Sequence, residues 1–296
     1  MNTKAFKLAL KLALTALALY LVFRKIDTAA LGDLLRQLHP GYVLVAWLLF
    51  ICSKVLTAFR LHDYYRALQI PINRADNLRL YAIGMFYNLF LPGGIGGDGY
   101  KVYLLKKSGQ TSLRALLQAT LLDRLGGLVA IFGLLFLLGF GLLEPLSRLL
   151  PPAPYVLGAG ALLLLPLWYG AHRLFFTPFI GSFWSANAYS FGGQIAQLGT
   201  VYALLLALGI PDGHLPYQFV FLLSSMVAVL PLTIGGVGAR ELVFIYSPDY
   251  LAIEAPVAVA FSLLFFLLSA LTSLSGAFLD VPEGQRARPA SSSDSD

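Results

Sequence analysis

Long apolar stretches alternate along the chain with short polar segments, a pattern typical of a protein that crosses a membrane several times. A helix needs about 20 mostly apolar residues to cross a hydrocarbon core of roughly 30 Å. Six stretches approach or exceed that length, near 5–23, 41–59, 115–140, 154–171, 188–209 and 256–279. The pattern therefore predicts an all-α polytopic membrane protein.

Two further apolar stretches, near 80–97 and 218–238, are interrupted by Pro and Gly. Lipid cannot satisfy the backbone groups that such breaks release, so both stretches must lie against protein or a wet cavity. We predict that each forms a broken re-entrant hairpin. A pair of short helices that cross completely fits the pattern too.

The spacing of these elements predicts an internal repeat. "GGIG" at 93–96 recurs 142 residues later as "GGVG" at 235–238, and the same offset carries the first three spans onto the last three. Three crossings per half is an odd number, so the second half would be inverted, as in many secondary transporters. We expect one transmembrane domain over 1–281 with halves of about 1–150 and 151–281. A coincidence of similar helix spacing is the alternative.

Composition excludes an ordinary soluble domain. Hydrophobic residues make up 58% of the chain and charged residues only 12%, and the mean hydropathy is +0.74. The formal net charge of +6 comes mostly from Lys and Arg beside the apolar stretches. Such a distribution is typical of contact with anionic lipid and gives no specific support for a nucleic acid partner.

The distribution of basic residues predicts the orientation. Lys4, Lys7 and Lys11 precede an apolar run that has no small-residue cleavage site, which favours an uncleaved first span with a cytoplasmic N-terminus. The loop assigned to the cytoplasm after the second span contains Arg60, Arg66, Arg74 and Arg79. The 24–40 loop should be outside although it carries three basic residues. The tail over 282–296 is expected to be cytoplasmic and disordered.

Two glycine clusters are the candidate for an anion cradle. Glycine permits close approach of a ligand to the backbone, and the N-terminus of a following helix offers free N–H groups and a positive dipole end. We predict that the cradle is formed by the backbones of Gly93, Gly94, Gly96, Gly97, Gly235, Gly236 and Gly238. A phosphate group is the obvious ligand for such a place.

Charged residues cluster beside the two backbone breaks and within the third span. Charges inside a span are costly, so they usually face the protein interior and pair with each other. The predicted substrate-binding residues are Asp98, Lys101, Asp123, Arg124, Arg240 and Glu241. The alternative for each is a buried ion pair that only holds the hairpins together.

Neighbours at 123 and 124 point about 100° apart on a helix, so Asp123 and Arg124 should pair with other segments rather than with each other. Asp98 with Arg240, or Arg124 with Glu241, are candidate pairs. Polar residues within the apolar stretches, among them Asn88, Gln118, Gln194 and Gln197, either bond between helices or line a cavity.

Other kinds of chemistry find no support in the sequence. The four histidines are scattered without metal-ligand spacing, and Cys52 has no partner for a disulfide. We find no nucleophile elbow, Walker A motif or zincin helix. We therefore expect neither an enzyme nor a metal or cofactor site.

Three motifs together resemble a known family: "NLFLPGGIGGDGYKVYLL", "ATLLDRLGGL" and "LPLTIGGVGARELVF". The chain is similar to the lysylphosphatidylglycerol synthase transmembrane region, or flippase-like domain, over nearly its whole length. In multi-domain members this region moves aminoacylated phosphatidylglycerol between leaflets, and a soluble domain makes that lipid. We expect this chain to be a stand-alone member without the synthase domain. Lys101 stands where the family commonly has Arg, which makes bidentate phosphate binding there less favourable.

The resemblance implies lipid handling, and together with the charged residues it favours a lipid flippase of the bacterial inner membrane. The distribution of basic residues predicts that both termini are cytoplasmic. Arg124, Arg240 and Lys101 would hold a headgroup phosphate, while Asp98, Asp123 and Glu241 would position these cations or bind a cationic part of the headgroup. The expected partner is a membrane lipid with an anionic headgroup; self-association and a partner synthase or glycosyltransferase stay open. The alternatives are an accessory component of a lipid-linked glycosyltransferase or aminoacyl-lipid pathway, and a small-solute transporter.

Overall fold

A computed structural model of the chain describes residues 28–90, 96–107, 109, 111–229, 242–244, 247 and 250–282. Over these residues every regular element is helical, in agreement with the prediction of an all-α polytopic protein. The α-helices are α1 (Thr28–Arg36), α2 (Pro40–Ala67), α3 (Arg74–Phe90), α4 (Gly96–Lys107), α5 (Leu113–Phe140), α6 (Leu143–Leu149), α7 (Ala153–Phe175), α8 (Phe183–Ala207), α9 (His214–Val229) and α10 (Ala255–Leu274). Two 3₁₀ helices span Thr177–Ser182 and Ser275–Phe278.

Among the described residues, four helical segments are long and apolar enough to cross a membrane. They are Pro40–Ala67, Leu113–Phe140, Ala153–Phe175 and Ala255–Phe278, and they confirm the second, third, fourth and sixth predicted spans. The fifth predicted span corresponds to α8, whose 25 residues include several polar side chains. At 1.5 Å per residue α8 is about 37 Å long, enough to cross. The first predicted span, near 5–23, and the tail beyond residue 282 lie outside the described residues.

Local sequence explains several of the helix starts. Proline lies in the first turn of α2, α7 and α10, where its missing N–H leaves no hydrogen bond unmade. Ser112 precedes α5, and its side chain accepts the N–H of Ala115 at 3.2 Å. This bond satisfies one of the N–H groups that a helix start leaves unpaired.

The helices α2 and α8 form the central pair, and they run antiparallel. Small residues of α8 allow close packing, since a Cβ added at Gly193 would lie 3.4 Å from the carbonyl oxygen of Ser53. Contacts along the pair run from Arg60 with Ser190, through Leu56 with Gly193 and Leu49 with Gly199, to His39 with Ala207. Equivalent helices of an inverted repeat must run antiparallel, as these two do.

Other helix contacts in the first predicted half have counterparts in the second. The helices α2, α3 and α5 of the first half correspond to α8, α9 and α10, which begin 143, 140 and 142 residues later. The contact of α2 with α3 is matched by α8 with α9, and that of α5 with α9 by α10 with α3. These matches support the inverted repeat. It stays a prediction, because the first span, the counterpart of α7, lies outside the described residues.

The first predicted hairpin is present as two packed helices, α3 and α4. They meet at two glycines, where a Cβ on Gly97 would overlap the carbonyl oxygen of Gly84. Residues 91–95, between these two helices, lie outside the described residues, as do residues 230–241, which follow α9 in the chain and include part of the second predicted hairpin. Whether the hairpins are re-entrant or cross completely therefore stays open.

The apolar core lies mainly between α8, α9 and α10, around Phe221, Phe261 and Phe265. By contrast, α7 lies at the edge of the bundle, and its Leu162 and Leu167 are 74% and 69% exposed. Apolar side chains that point outward from a spanning helix are suited to contact with lipid.

Candidate functional site

A buried ion pair joins α2 and α5 at the site. Arg60 Nε donates to Asp123 Oδ1 at 2.8 Å, and Arg60 Nη1 donates to Ser190 Oγ of α8 at 3.1 Å. The two charged side chains are only 6% and 13% exposed. The pair links three helices from both predicted halves.

The assignment of Arg60 to a cytoplasmic loop is wrong. The apolar stretch ends near residue 59, but α2 continues to Ala67 and buries Tyr64 and Tyr65 in its last turns. A signal for this existed, because no Gly or Pro lies between Gly41 and Pro71. The length of an apolar run sets the part of a helix that contacts lipid, while the helix itself ends where its backbone is broken.

The glycine pair in "DRLGGL" makes room for Arg60. A Cβ added at Gly127 would lie 3.6 Å from Arg60 Nη1, and one at Gly126 would lie 3.7 Å from Arg60 Cδ. The guanidinium group therefore lies along the surface of α5, from Asp123 to Gly127 one helical turn later in the chain. These glycines serve the packing of a charged side chain rather than a backbone turn.

Asp98 is the centre of a second charged group. Its Oδ1 lies 2.9 Å from Lys101 Nζ, and its Oδ2 accepts from Arg124 Nη2 at 2.7 Å and from Arg124 Nε at 2.9 Å. Asp123 and Arg124 thus pair with different segments, α2 and α4, as the helical geometry predicted. The candidate partners Arg240 and Glu241 lie outside the described residues.

The charged side chains differ in burial. Lys101 is 5% exposed and Asp98 is 11% exposed, whereas Arg124 is 30% exposed. Lys101 Nζ also lies 5.2 Å from the ring centroid of Tyr81, a cation–π distance. Among the charged side chains of these two groups, Arg124 is therefore the most accessible.

Asn88 fixes the start of α4 immediately before Asp98. Its Oδ1 accepts the N–H of Gly97 at 2.8 Å, so one of the unpaired donors of the helix start is satisfied by protein. The anion cradle stays a prediction, because Gly93, Gly94, Gly235, Gly236 and Gly238 lie outside the described residues. Gly97 has a packing role of its own against Gly84.

These groups surround a cavity of about 200 Å³, the volume of roughly six or seven waters. Five helices contribute to its wall, namely α2, α3, α4, α5 and α8. The lining residues are Thr57, Arg60, Tyr81, Gly84, Met85, Asn88, Asp98, Lys101, Asp123, Arg124, Gly127, Leu128, Ile131 and Gln194. Asn88 and Gln194 were expected to line a cavity or to bond between helices, and both line this one.

The cavity is suited to an anion. Its described charged residues are three cations and two carboxylates, which leaves one positive charge in excess. Arginine presents donors in a planar fork that matches phosphate and carboxylate oxygens. Sequence reasoning found four of these five charged residues and missed Arg60, and it gave no indication that Thr57 or Tyr81 would join them.

Comparison with known proteins identifies a family for the chain. A search of curated proteins gives no match. The model of the family described as lysylphosphatidylglycerol synthase TM region matches residues 8–276, nearly the whole chain. The match spans the helices that form the cavity, from α2 to α8. The chain therefore belongs to the lysylphosphatidylglycerol synthase TM region family.

Proposed function

We propose that the protein moves a phospholipid, or another lipid that carries a phosphate, between the leaflets of a bacterial inner membrane. The headgroup enters the cavity between the first hairpin and the central helices, while the acyl or prenyl chains remain in the bilayer. Both termini lie on the cytoplasmic side. The observation that carries the proposal is a cavity inside a bundle of membrane-spanning helices whose described lining residues carry excess positive charge.

Arg124 is the cation that supports phosphate binding most directly. It lines the cavity, and at 30% its side chain is the most exposed of the described charged side chains that line it and belong to an ion pair. Arg60 is less suitable, because its side chain is only 6% exposed and is bonded to Asp123 and Ser190. A partly exposed cation and a buried cation on the same cavity wall are consistent with binding of a lipid headgroup to the exposed one.

Membership of the family favours lipid over a small solute. Its description names the transmembrane region of a synthase whose product is a modified phosphatidylglycerol, so lipid handling is the function nearest to it. The excess positive charge of the cavity favours a net negative headgroup over a neutral one.

Transport by purified protein in proteoliposomes tests the proposal. Fluorescent phosphatidylglycerol in the inner leaflet is protected from dithionite, so its loss of signal measures transfer across the bilayer. We expect Arg124→Gln to slow the wild-type rate by about 10-fold or more, because one charge-assisted hydrogen bond contributes about 1.5–3 kcal/mol.

Arg148→Gln is the matched control. Arg148 pairs with Glu144 at 2.6 Å, but both side chains are 78% exposed and lie outside the cavity. The control should transport at the wild-type rate. A wild-type rate equal to that of protein-free vesicles, or equal rates for the two variants, would refute the proposal.

A further inference from the structure

We propose that Asp98 is an internal competitor for the phosphate: it holds Arg124 until a headgroup enters, and then it releases Arg124 to the phosphate. The inference rests on the proposed function, since it states how the same site selects its ligand. A single carboxylate oxygen, Asp98 Oδ2, accepts from both Nε and Nη2 of Arg124, at 2.9 and 2.7 Å. A phosphate oxygen would accept from the same edge of the guanidinium group.

Asp98 can lose Arg124 without being left as an unpaired charge. Its other oxygen, Oδ1, lies 2.9 Å from Lys101 Nζ, and Lys101 is 5% exposed. Lys101 lies three residues away on the same helix and passes beside Gly84, where a Cβ would lie 3.3 Å from its side chain. Because this second cation stays in place, the exchange avoids the penalty of an isolated buried carboxylate.

Arg124 is the cation whose partner can change. Its side chain is 30% exposed and lines the cavity, whereas that of Arg60 is 6% exposed and is bonded to both Asp123 and Ser190. The cavity therefore combines one fixed ion pair with one exchangeable pair.

The competition sets the class of ligand. A ligand must replace a charge-assisted interaction, which a neutral hydroxyl or amide cannot match. A zwitterionic headgroup brings its own ammonium group to a wall with three cations and two carboxylates. The ligand that fits is a phosphate group with a net negative charge.

The test compares affinities of purified full-length protein for dioleoylphosphatidylglycerol, dioleoylphosphatidylcholine and inorganic phosphate, measured by thermophoresis in detergent. The wild type should bind the anionic lipid at least 10-fold more tightly than the zwitterionic one. Asp98→Asn should bind the anionic lipid at least fivefold more tightly than the wild type, because the competitor is lost.

Two variants separate competition from a change of net charge. Glu144→Gln removes the same charge from the protein at an exposed pair outside the cavity, and its affinity should change by less than twofold. The double variant Asp98→Asn with Lys101→Met keeps the net charge, leaves no buried partner unpaired, and should still bind at least threefold more tightly than the wild type. A purely structural role of Asp98 would not raise the affinity in either Asp98 variant.

The binding results distinguish failure of the competitor role from failure of the proposed function. The competitor role is overturned by unchanged or weaker binding in both Asp98 variants, by an equal gain in Glu144→Gln, or by equal wild-type affinity for the two lipids. The proposed function stands in these cases if the wild type still transports. A gain for inorganic phosphate alone supports the competitor but removes the lipid function. Binding of none of the three probes overturns both.

Discussion

Arg60 and Arg124 contact carboxylates in the same cavity, yet their surroundings give them different roles. Arg60 is almost wholly buried and bonds to two helices, whereas Arg124 keeps nearly a third of its side chain exposed. A buried charge is stable only while its partner remains, because neither group can return to water. Stability should therefore depend on Arg60, and ligand binding on Arg124.

Breaking the buried pair should destabilise the protein strongly. Arg60→Met leaves Asp123 without its cation and should lower the free energy of unfolding by about 3–5 kcal/mol. Removing both charges, with Arg60→Met and Asp123→Leu together, should recover most of that loss. Denaturant unfolding in detergent measures both variants, and Arg148→Met in the exposed Arg148–Glu144 pair should change stability by less than about 0.5 kcal/mol. If the single and double variants are equally unstable, Asp123 does not depend on Arg60.

Charge alone made most of this site predictable. Asp98, Lys101, Asp123 and Arg124 stand out because a charge in an apolar segment needs a buried partner. Which groups pair depends on helix rotation and tilt, and those depend on contacts far apart in sequence. Arg60 has the same chemistry, but at the end of an apolar run it resembles the basic flank that marks the cytoplasmic side.

At the scale of the helices, glycine lets α3 and α4 approach until their backbones touch. Gly97 lies against Gly84, and Gly276 beyond α10 lies against the carbonyl of Ala82 on the same α3. Both contacts would be lost with any side chain. Gly97 of the hairpin is thus needed for packing, whether or not other glycines of the sequence motif bind an anion.

Alanine at two nearby glycines of α4 should have opposite effects. Gly97→Ala places a methyl group on the Gly84 backbone and should destabilise the protein by about 1–3 kcal/mol or more, because backbone cannot move aside as a side chain can. Gly99→Ala meets no atom within 4 Å and should be neutral or up to about 1 kcal/mol stabilising, as alanine favours helix. The midpoint of thermal unfolding in detergent compares them. Equal midpoints would show that Gly97 and Gly84 do not pack as closely as the structure places them.

Helix interiors were predictable from apolar length, but helix ends were less so. The first hairpin was expected near 80–97, whereas its arms extend over Arg74–Phe90 and Gly96–Lys107. Polar residues at the outer ends of both arms are helical, because the backbone hydrogen bonds of a helix do not require apolar side chains. Hydropathy therefore predicted the interval between the two arms better than it predicted their outer ends.

For the whole molecule, spacing predicted the order of the spans, and contacts show how the halves meet. The offset near 142 residues predicted that α2 and α8 are equivalent, but no sequence feature indicated that they would pack on each other as an antiparallel pair. That contact brings Ser190 and Gln194 of the second half to the charged residues of the first. The cavity is consequently shared between the halves, which suits a transporter whose halves move relative to one another.

A disulfide between the halves tests this arrangement. In a Cys52→Ser background, Leu56→Cys with Gly193→Cys should cross-link on mild oxidation, because a Cβ at Gly193 would lie 4.0 Å from that of Leu56, within the range of about 3.5–4.5 Å that disulfides require. A protease site inserted near Arg148, between α5 and α7, allows the two predicted halves to be cut apart. After cleavage, the cross-link keeps the two fragments in one band on a gel. Leu56→Cys with Gly199→Cys is the control, since Gly199 faces Leu49 instead. If only the control cross-links, α8 packs on α2 in another register. Ser190 and Gln194 would then lie away from the charged cavity.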